Sequence, residues 1–306
     1  MNNYHGKNVA VSVRNRLLAL ARERGESFQL LLIKYGLERL LFRLSQSIHR
    51  DRFILKGAML FMLWGNQPHR PTRDVDFLCF GDSNAASLAQ IFRELCDISV
   101  EDDGLVFSAD SVRVETTRDV MEYGGVRIRL YGSLAGARVP IQADIGFGDA
   151  VTPAACEFEY PTLLGDPAPH LLVYPRETVI AEKYQALISL GMVNSRMKDY
   201  FDLWVIARDF GFDGVTVSQA IDNTFLRRQT SLMEHRPPGL SPEFYESVQK
   251  RTQWNAFLKK GNLAATPPSL MEVCQMLETF LVPPTLALVQ QQKFNAHWSP
   301  GGPWRM

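Results

Sequence analysis

The period of the apolar positions changes several times along the chain. Residues 8–24 place Val, Leu and Ala at helical spacing among arginines. Phe28 to Leu44 repeats the pattern more strongly, with Leu31, Tyr35, Leu37, Leu41 and Leu44 near one stripe. Gly25 separates the two, so residues 1–50 are predicted to form a helical arm that serves as scaffold. The apolar run Phe53-Ile54-Leu55 predicts a strand ending at Lys56-Gly57, followed by a helical run from Ala58 to Trp64 and a polar, Pro-containing loop. Arg73-Asp74-Val75-Asp76-Phe77 reads as the next strand, and the turn Gly81-Asp82-Ser83-Asn84 caps a helix over Ala85 to Leu95. Asp102, Asp103 and Gly104 mark a loop.

From Ser111 to Asp149 the period becomes two. Val112 and Val114 alternate with polar residues, as do Val126, Ile128 and Leu130. The Gly-Ser-Leu-Ala-Gly stretch at 132–136 predicts a hairpin connection, and Arg138 to Asp149 the returning strand. Pro153 to Pro175 is proline-dense and is read as a connection to a helical half. That half contains helical patterns over Arg176 to Leu190, from Asn194 through Trp204, Ser218 to Arg228, Pro242 to Lys260 and Ser269 to Leu281. Pro283 to Met306 is rich in Pro, Gly and Gln and is expected to fray at its end. The pattern predicts an α+β protein: a mixed β-sheet flanked by helices, with a mostly helical C-terminal half. The expected divisions are 1–50, 51–165 and 166–306.

Composition narrows the class. With 306 residues, 46% hydrophobic and 22% charged, the chain has the balance of a soluble globular protein. Formal net charge is zero, so any nucleic-acid contact is expected to be local rather than the work of a basic surface. The four cysteines are scattered without a Cys-x-x-Cys pair and the six histidines lack metal-ligand spacing, so zinc is not expected. No uninterrupted apolar run approaches the ~20 residues of a membrane span, and the N-terminus lacks the apolar core of a signal peptide. A cytoplasmic protein with no membrane partner is expected.

The chemistry concentrates around Asp74 and Asp76. Strand residues alternate faces, so both aspartates point the same way. Two carboxylates on one face repel unless a cation sits with them, and a hard cation such as Mg²⁺ commonly brings substrate phosphates. A bland alternative is an exposed strand with two surface aspartates. Gly57, at a strand end opening a helix, would let a phosphate approach backbone N–H groups. On the returning strand Val139, Ile141, Ala143 and Ile145 share one face, and Asp144 faces the other way with Gln142 and Gly146. Asp144 is the candidate third carboxylate. Asp149, after Gly148, is the rival and reads better as a turn residue. Lys183 lies four residues from both Val179 and Leu187, so it projects from the apolar face of its helix. It must snorkel, pair with an acid or meet a ligand such as a triphosphate. Arg196, Lys198, Asp199 and Asp202 concentrate charge on one turn and a half. Asp199 leans inward, and Lys198 with Asp202 is at surface ion-pair spacing.

Taken in order, five motifs resemble one known family. They are Lys56-Gly57, Arg70-Pro-Thr-Arg-Asp-Val-Asp76, Ala143-Asp-Ile-Gly-Phe-Gly-Asp149, Glu177-Thr-Val-Ile-Ala-Glu-Lys183 and Ser195-Arg-Met-Lys-Asp-Tyr-Phe-Asp-Leu203. Over about residues 50 to 210 they resemble the AbiEii/AbiGii-type nucleotidyltransferase toxins of the nucleotidyltransferase β superfamily, the group that includes the MenT toxins. The resemblance implies a nucleotidyltransferase-like sheet and the toxin half of a bacterial toxin–antitoxin or phage-defence pair. It implies an NTP and Mg²⁺, a cognate antitoxin, and an RNA acceptor, with the tRNA 3′ end as the expected one. Asp74 and Asp76 take the metal-binding pair, with Asp144 as the third acid. Lys183 takes the triphosphate lysine and Asp202 the later family acid. Lys56, Gly57, Ala58, Thr72, Arg73, Lys198 and Asp199 fall with the nucleotide-binding positions. One departure stands out: the family often has a second glycine and a hydroxyl after the strand, and here the run is Gly57-Ala58-Met59.

Two other readings remain beside RNA modification. One is nucleotidyl transfer to a protein or small molecule, which zero net charge suits equally well. The other is a non-catalytic NTP-binding protein, supported only by the Gly57-Ala58 departure.

Overall fold

The computed structural model describes residues 3–65, 70–117, 125–261, 263 and 268–306. Parts of the expected polar loop (66–69) and of the expected β region (118–124) lie outside the described residues. The chain divides into two compact units: Met1–Gly148 with Cys156–Val173, and Asp149–Ala155 with Tyr174–Met306.

The first unit opens with helices α1 (Asn3–Arg24) and α2 (Phe28–Ser45). Strand β1 (Phe53–Lys56) leads through a 3-10 turn at Gly57–Met59 into the short helix α3 (Leu60–Gly65), and β2 (Val75–Cys79) returns antiparallel to β1. Helix α4 (Ala85–Asp97) follows, its first N–H groups capped by the Asn84 side chain. Then come β3 (Leu105–Thr117), β4 (Gly125–Leu134), β5 (Ala137–Phe147), β6 (Cys156–Glu159) and β7 (His170–Val173). The seven strands form one mixed sheet in the order β3-β4-β5-β2-β1-β7-β6, with β2–β5 and β1–β7 parallel.

Alternation fixes which sheet face is dry. On β4, Val126, Ile128, Leu130 and Leu134 are buried, and on β5 Val139, Ile141, Ala143 and Ile145. Helix α2 lies against this face closely enough that a Cβ on Gly36 would sit 2.7 Å from both Val139 and Ile141 side chains. The helical arm is therefore part of the sheet unit's core. It carries buried charge: Arg43 pairs with Asp103 at 2.7 Å and stacks over Phe107, and the Tyr35 hydroxyl donates to the Asp103 carbonyl.

Two sequence expectations are corrected here. Pro153 to Pro175 is not simply a connection, because β6 and β7 within it extend the sheet. Four-residue strands carry too little period-two signal to be seen, although Leu171 and Val173 alternate as buried positions once β7 pairs with β1. The hairpin turn is at Ala135-Gly136, both with positive φ, and residues 132–134 belong to β4.

The second unit contains α5 (Arg176–Leu190), α6 (Met197–Asp209), the two-residue strand β8 (Phe212–Asp213), α7 (Gly214–Arg227), α8 (Pro242–Tyr245), α9 (Val248–Lys260), α10 (Leu270–Val289), β9 (His297–Trp298) and β10 (Trp304–Arg305). The expected helix over Pro242 to Lys260 is broken between α8 and α9. Helix α10 begins at a Ser269–Glu272 capping box and runs through Pro283 and Pro284, well past the expected end at Leu281. By length and composition it is apolar enough to cross a membrane. Its residues Val273, Leu277, Phe280 and Leu281 are fully buried within the unit.

The C-terminal stretch is anchored rather than frayed. Strands β8, β9 and β10 form a small sheet, Trp298 is buried and donates to the Ala207 carbonyl at 2.7 Å, and Trp304 donates to that of Phe280 at 2.9 Å. Two indoles provide the apolar area that composition alone hides among Pro and Gly.

Candidate active site

The sheet's polar face carries one row of charges. Cα register places Lys56 opposite Asp76, Asp76 beside Asp144, Asp144 opposite Arg127 and Arg127 opposite Glu115. Directly opposed strand residues share a face, so five neighbouring strands present Lys, Asp, Asp, Arg and Glu in line. Asp74 precedes this row on the lead-in to β2, and its Oδ1 accepts a hydrogen bond from the Thr72 hydroxyl at 2.6 Å. Lys56 is nearly buried, Thr72, Asp74 and Asp76 are half-buried, and Arg73 is exposed.

Gly57 explains how Asp76 is seated. Its φ is +77°, and a Cβ there would overlap Oδ2 of Asp76 and lie 2.7 Å from its Cγ. The Asp76 carboxylate thus rests against bare backbone at the end of β1. Only glycine provides both the positive φ and the space. Ala58 continues into the 3-10 turn without needing glycine, which is why the departure at this position leaves the seat intact.

Asp144 occupies the expected place, on the strand next to the paired aspartates and at the same level as Asp76. Both of its oxygens are engaged: Arg127 Nε donates to Oδ1 at 2.7 Å and Nη2 to Oδ2 at 2.8 Å. Gln142 adds a longer contact to Oδ2. Hydrogen bonding to Asp144 raises the Arg127 pKa above its ordinary value, and the charges of Glu115 and Asp74 act in the same direction. Arg127 belongs to none of the five sequence motifs. Counting outward from the Ala135-Gly136 turn would have paired it with Asp144, so the signal was present.

In the second unit, Lys183 on α5 donates to Asp199 at 2.7 Å and lies 2.8 Å from Asp202, both on α6. Arg196 reaches the other oxygen of Asp199 at 2.7 Å. Asp199 and Asp202 are almost wholly buried, and Lys183 retains 14% side-chain exposure. Burial pushes the Asp199 carboxyl up, but Lys183 and Arg196 outweigh it and hold the carboxyl below its ordinary value. Asp202 is turned inward to Lys183, whereas Lys198 is exposed, so the surface ion-pair reading of those two is corrected. Sequence spacing placed Lys198 and Asp202 within reach, but Asp202 lies on the face of α6 that α5 covers. The rival Asp149 accepts from Arg228 at 3.0 Å, and Arg228 also faces Glu182 and Gln185. Arg228 thus closes a polar cluster rather than merely ending a helix.

Among the described residues no group of three or more His, Cys, Asp or Glu side chains is gathered to hold a metal ion. With Asp144 clamped, the donor set on the sheet is Asp74 and Asp76. Two carboxylates on one face suit a hard cation that fills its remaining positions with water and phosphate oxygens, as Mg²⁺ does.

A strand-end glycine turn thus faces an Asp-x-Asp strand, with a third acid one strand away. The model of the family described as "Nucleotidyl transferase AbiEii toxin, Type IV TA system" matches residues 39–276, most of the chain, and this protein belongs to that family. It is thus a nucleotidyltransferase toxin of a toxin–antitoxin system, with a nucleotide substrate and an antitoxin partner. No curated protein matches the chain. Among solved structures, the chain is similar to JHP933 from Helicobacter pylori, at 15% identity and TM-score 0.48, covering 87% of this chain and 95% of that one. A candidate nucleotidyltransferase from H. pylori is similar at 14% identity and TM-score 0.47, with the same coverage.

Proposed function

We propose that this toxin moves a nucleoside monophosphate from an NTP to an RNA 3′ end in the cytoplasm, with tRNA as the acceptor and a halt in translation as the consequence. The observation that supports a working transferase is the seat of Asp76 against Gly57, which keeps that carboxylate beside the strand-end turn despite the missing second glycine. In the proposed reaction the acceptor hydroxyl attacks the α-phosphorus. A new P–O bond forms as the bond to pyrophosphate breaks. Asp74 and Asp76 are the proposed holders of Mg²⁺, which when bound would neutralise phosphate charge. The Thr72 hydroxyl fixes the Asp74 carboxylate through Oδ1. The backbone at Gly57–Met59 is proposed to meet phosphate oxygens.

The test is a transfer assay with Mg²⁺, total bacterial tRNA and each α-labelled NTP in turn, with Asp74→Ala as control. Label on tRNA with the wild type and none with the variant is the expected result. Label on protein, or none on RNA with any NTP, would refute the RNA assignment. Full activity of Asp74→Ala would refute the site.

A further inference from the structure

The Arg127–Asp144 pair bears on how many cations the sheet face can hold. Asp144 stands where a third metal-binding carboxylate is expected. Its two oxygens nevertheless meet two guanidinium nitrogens at 2.7 and 2.8 Å, a bidentate fork that a point-charge cation does not reproduce. The two side chains are only 16% and 12% exposed, so the pair is shielded rather than a loose rim contact. The pair is also fixed by the chain itself. Residues 127 and 144 are opposed in the β4–β5 hairpin, so neither can leave the other without unpairing the sheet or swinging out a half-buried side chain. Arg127 has little competition for its fork, because Glu115, its other neighbour in the row, bonds Arg129 instead at 2.5 Å. A second divalent ion at Asp144 would have to displace a cation already in place.

We propose that Arg127 is a built-in counter-ion for Asp144, so that this face binds one divalent ion, on Asp74 and Asp76, with the guanidinium fixed beside it in place of a second. Asp144 is then a positioning residue for Arg127 and not a metal ligand. This rests on the metal-dependent reading of Asp74 and Asp76 above.

Manganese provides a readout independent of turnover. Mn²⁺ would be titrated into the full chain saturated with each of the four non-hydrolysable NTP analogues in turn, and followed by electron paramagnetic resonance. The wild type is expected to hold one Mn²⁺ per chain without a manganese–manganese coupling signal. Asp144→Asn keeps one of the fork's two acceptors and removes the carboxylate charge, and is expected to hold one Mn²⁺ with affinity within twofold of wild type. Arg127→Met is expected to gain a second, weaker Mn²⁺ through the released carboxylate. If it does not fold, as judged by thermal melting, Asp144→Asn alone decides. Two coupled Mn²⁺ in the wild type, with one lost in Asp144→Asn, would overturn the proposal and leave the metal-dependent reading standing. No Mn²⁺ beyond that carried by free nucleotide would overturn both.

Discussion

The Asp76 carboxylate lies where a side chain on Gly57 would begin, 2.7 Å from Cγ to the missing Cβ, and Gly57 holds φ at +77°. Gly57→Ala therefore carries two penalties. The left-handed backbone costs about 1–2 kcal/mol for a residue with a Cβ, and the carboxylate must move. A displacement of about 1 Å at a reacting centre is worth roughly 10²-fold in rate. Transfer activity is expected to fall about 10²-fold while the chain remains folded in a thermal melt. Activity within threefold of wild type would show that the seat is unimportant.

Lys183 neutralises two buried aspartates. Removing the lysine takes a cation from both carboxylates and leaves Asp199 with Arg196, and breaking such a buried pair costs about 3–5 kcal/mol. Lys183→Met is expected to lose stability of that order in urea denaturation. The triple variant that also carries Asp199→Asn and Asp202→Asn should recover much of it. If Lys183→Met is as stable as wild type yet inactive, Lys183 acts on substrate alone.

Glu38 gives the sheet unit a pH dependence near neutrality. It accepts the Leu163 N–H at 2.7 Å and lies 2.8 Å from Arg39, yet burial dominates and pushes its carboxyl up to about 7. A folded pKa above the unfolded one means the contribution is complete below about 4.5 and is lost as pH rises through about 7. The full span is on the order of 3 kcal/mol. Glu38→Gln retains an acceptor for Leu163 and should flatten the stability profile between pH 5 and 8. An unchanged slope would assign the dependence elsewhere.

Trp298 closes the C-terminal sheet of the second unit. It is 1% exposed, packs against Phe280 with ring centroids 4.7 Å apart and hydrogen-bonds the Ala207 carbonyl. Trp298→Ala is expected to cost about 3–5 kcal/mol. Trp298→Phe is expected to cost about 1–2, because it mainly loses the hydrogen bond. Chemical denaturation of the two variants separates these losses, and a Trp298→Phe variant as stable as wild type would refute the role of the indole N–H.

The residues that local chemistry governs were legible early. Asp74 and Asp76 fall on one face by strand period, and Gly57 stands out by its place at the end of β1. Lys183 was recognised as a charge on an apolar face, but its partners were not, because Asp199 and Asp202 lie on another helix. Residues 170–173 give little local signal, because so short a strand depends on the neighbours it packs with.

The helical arm, the period-two hairpin, the paired aspartates and the family motifs can be read along the chain, since each depends on residues close together in it. The fold sets the sheet order, which places Asp76 of β2 beside Asp144 of β5, 68 positions later, in a parallel pairing. It also turned Asp144 from a free acid into the partner of Arg127. Such pairings depend on long-range strand register, and no local periodicity records which distant strand a given strand will join.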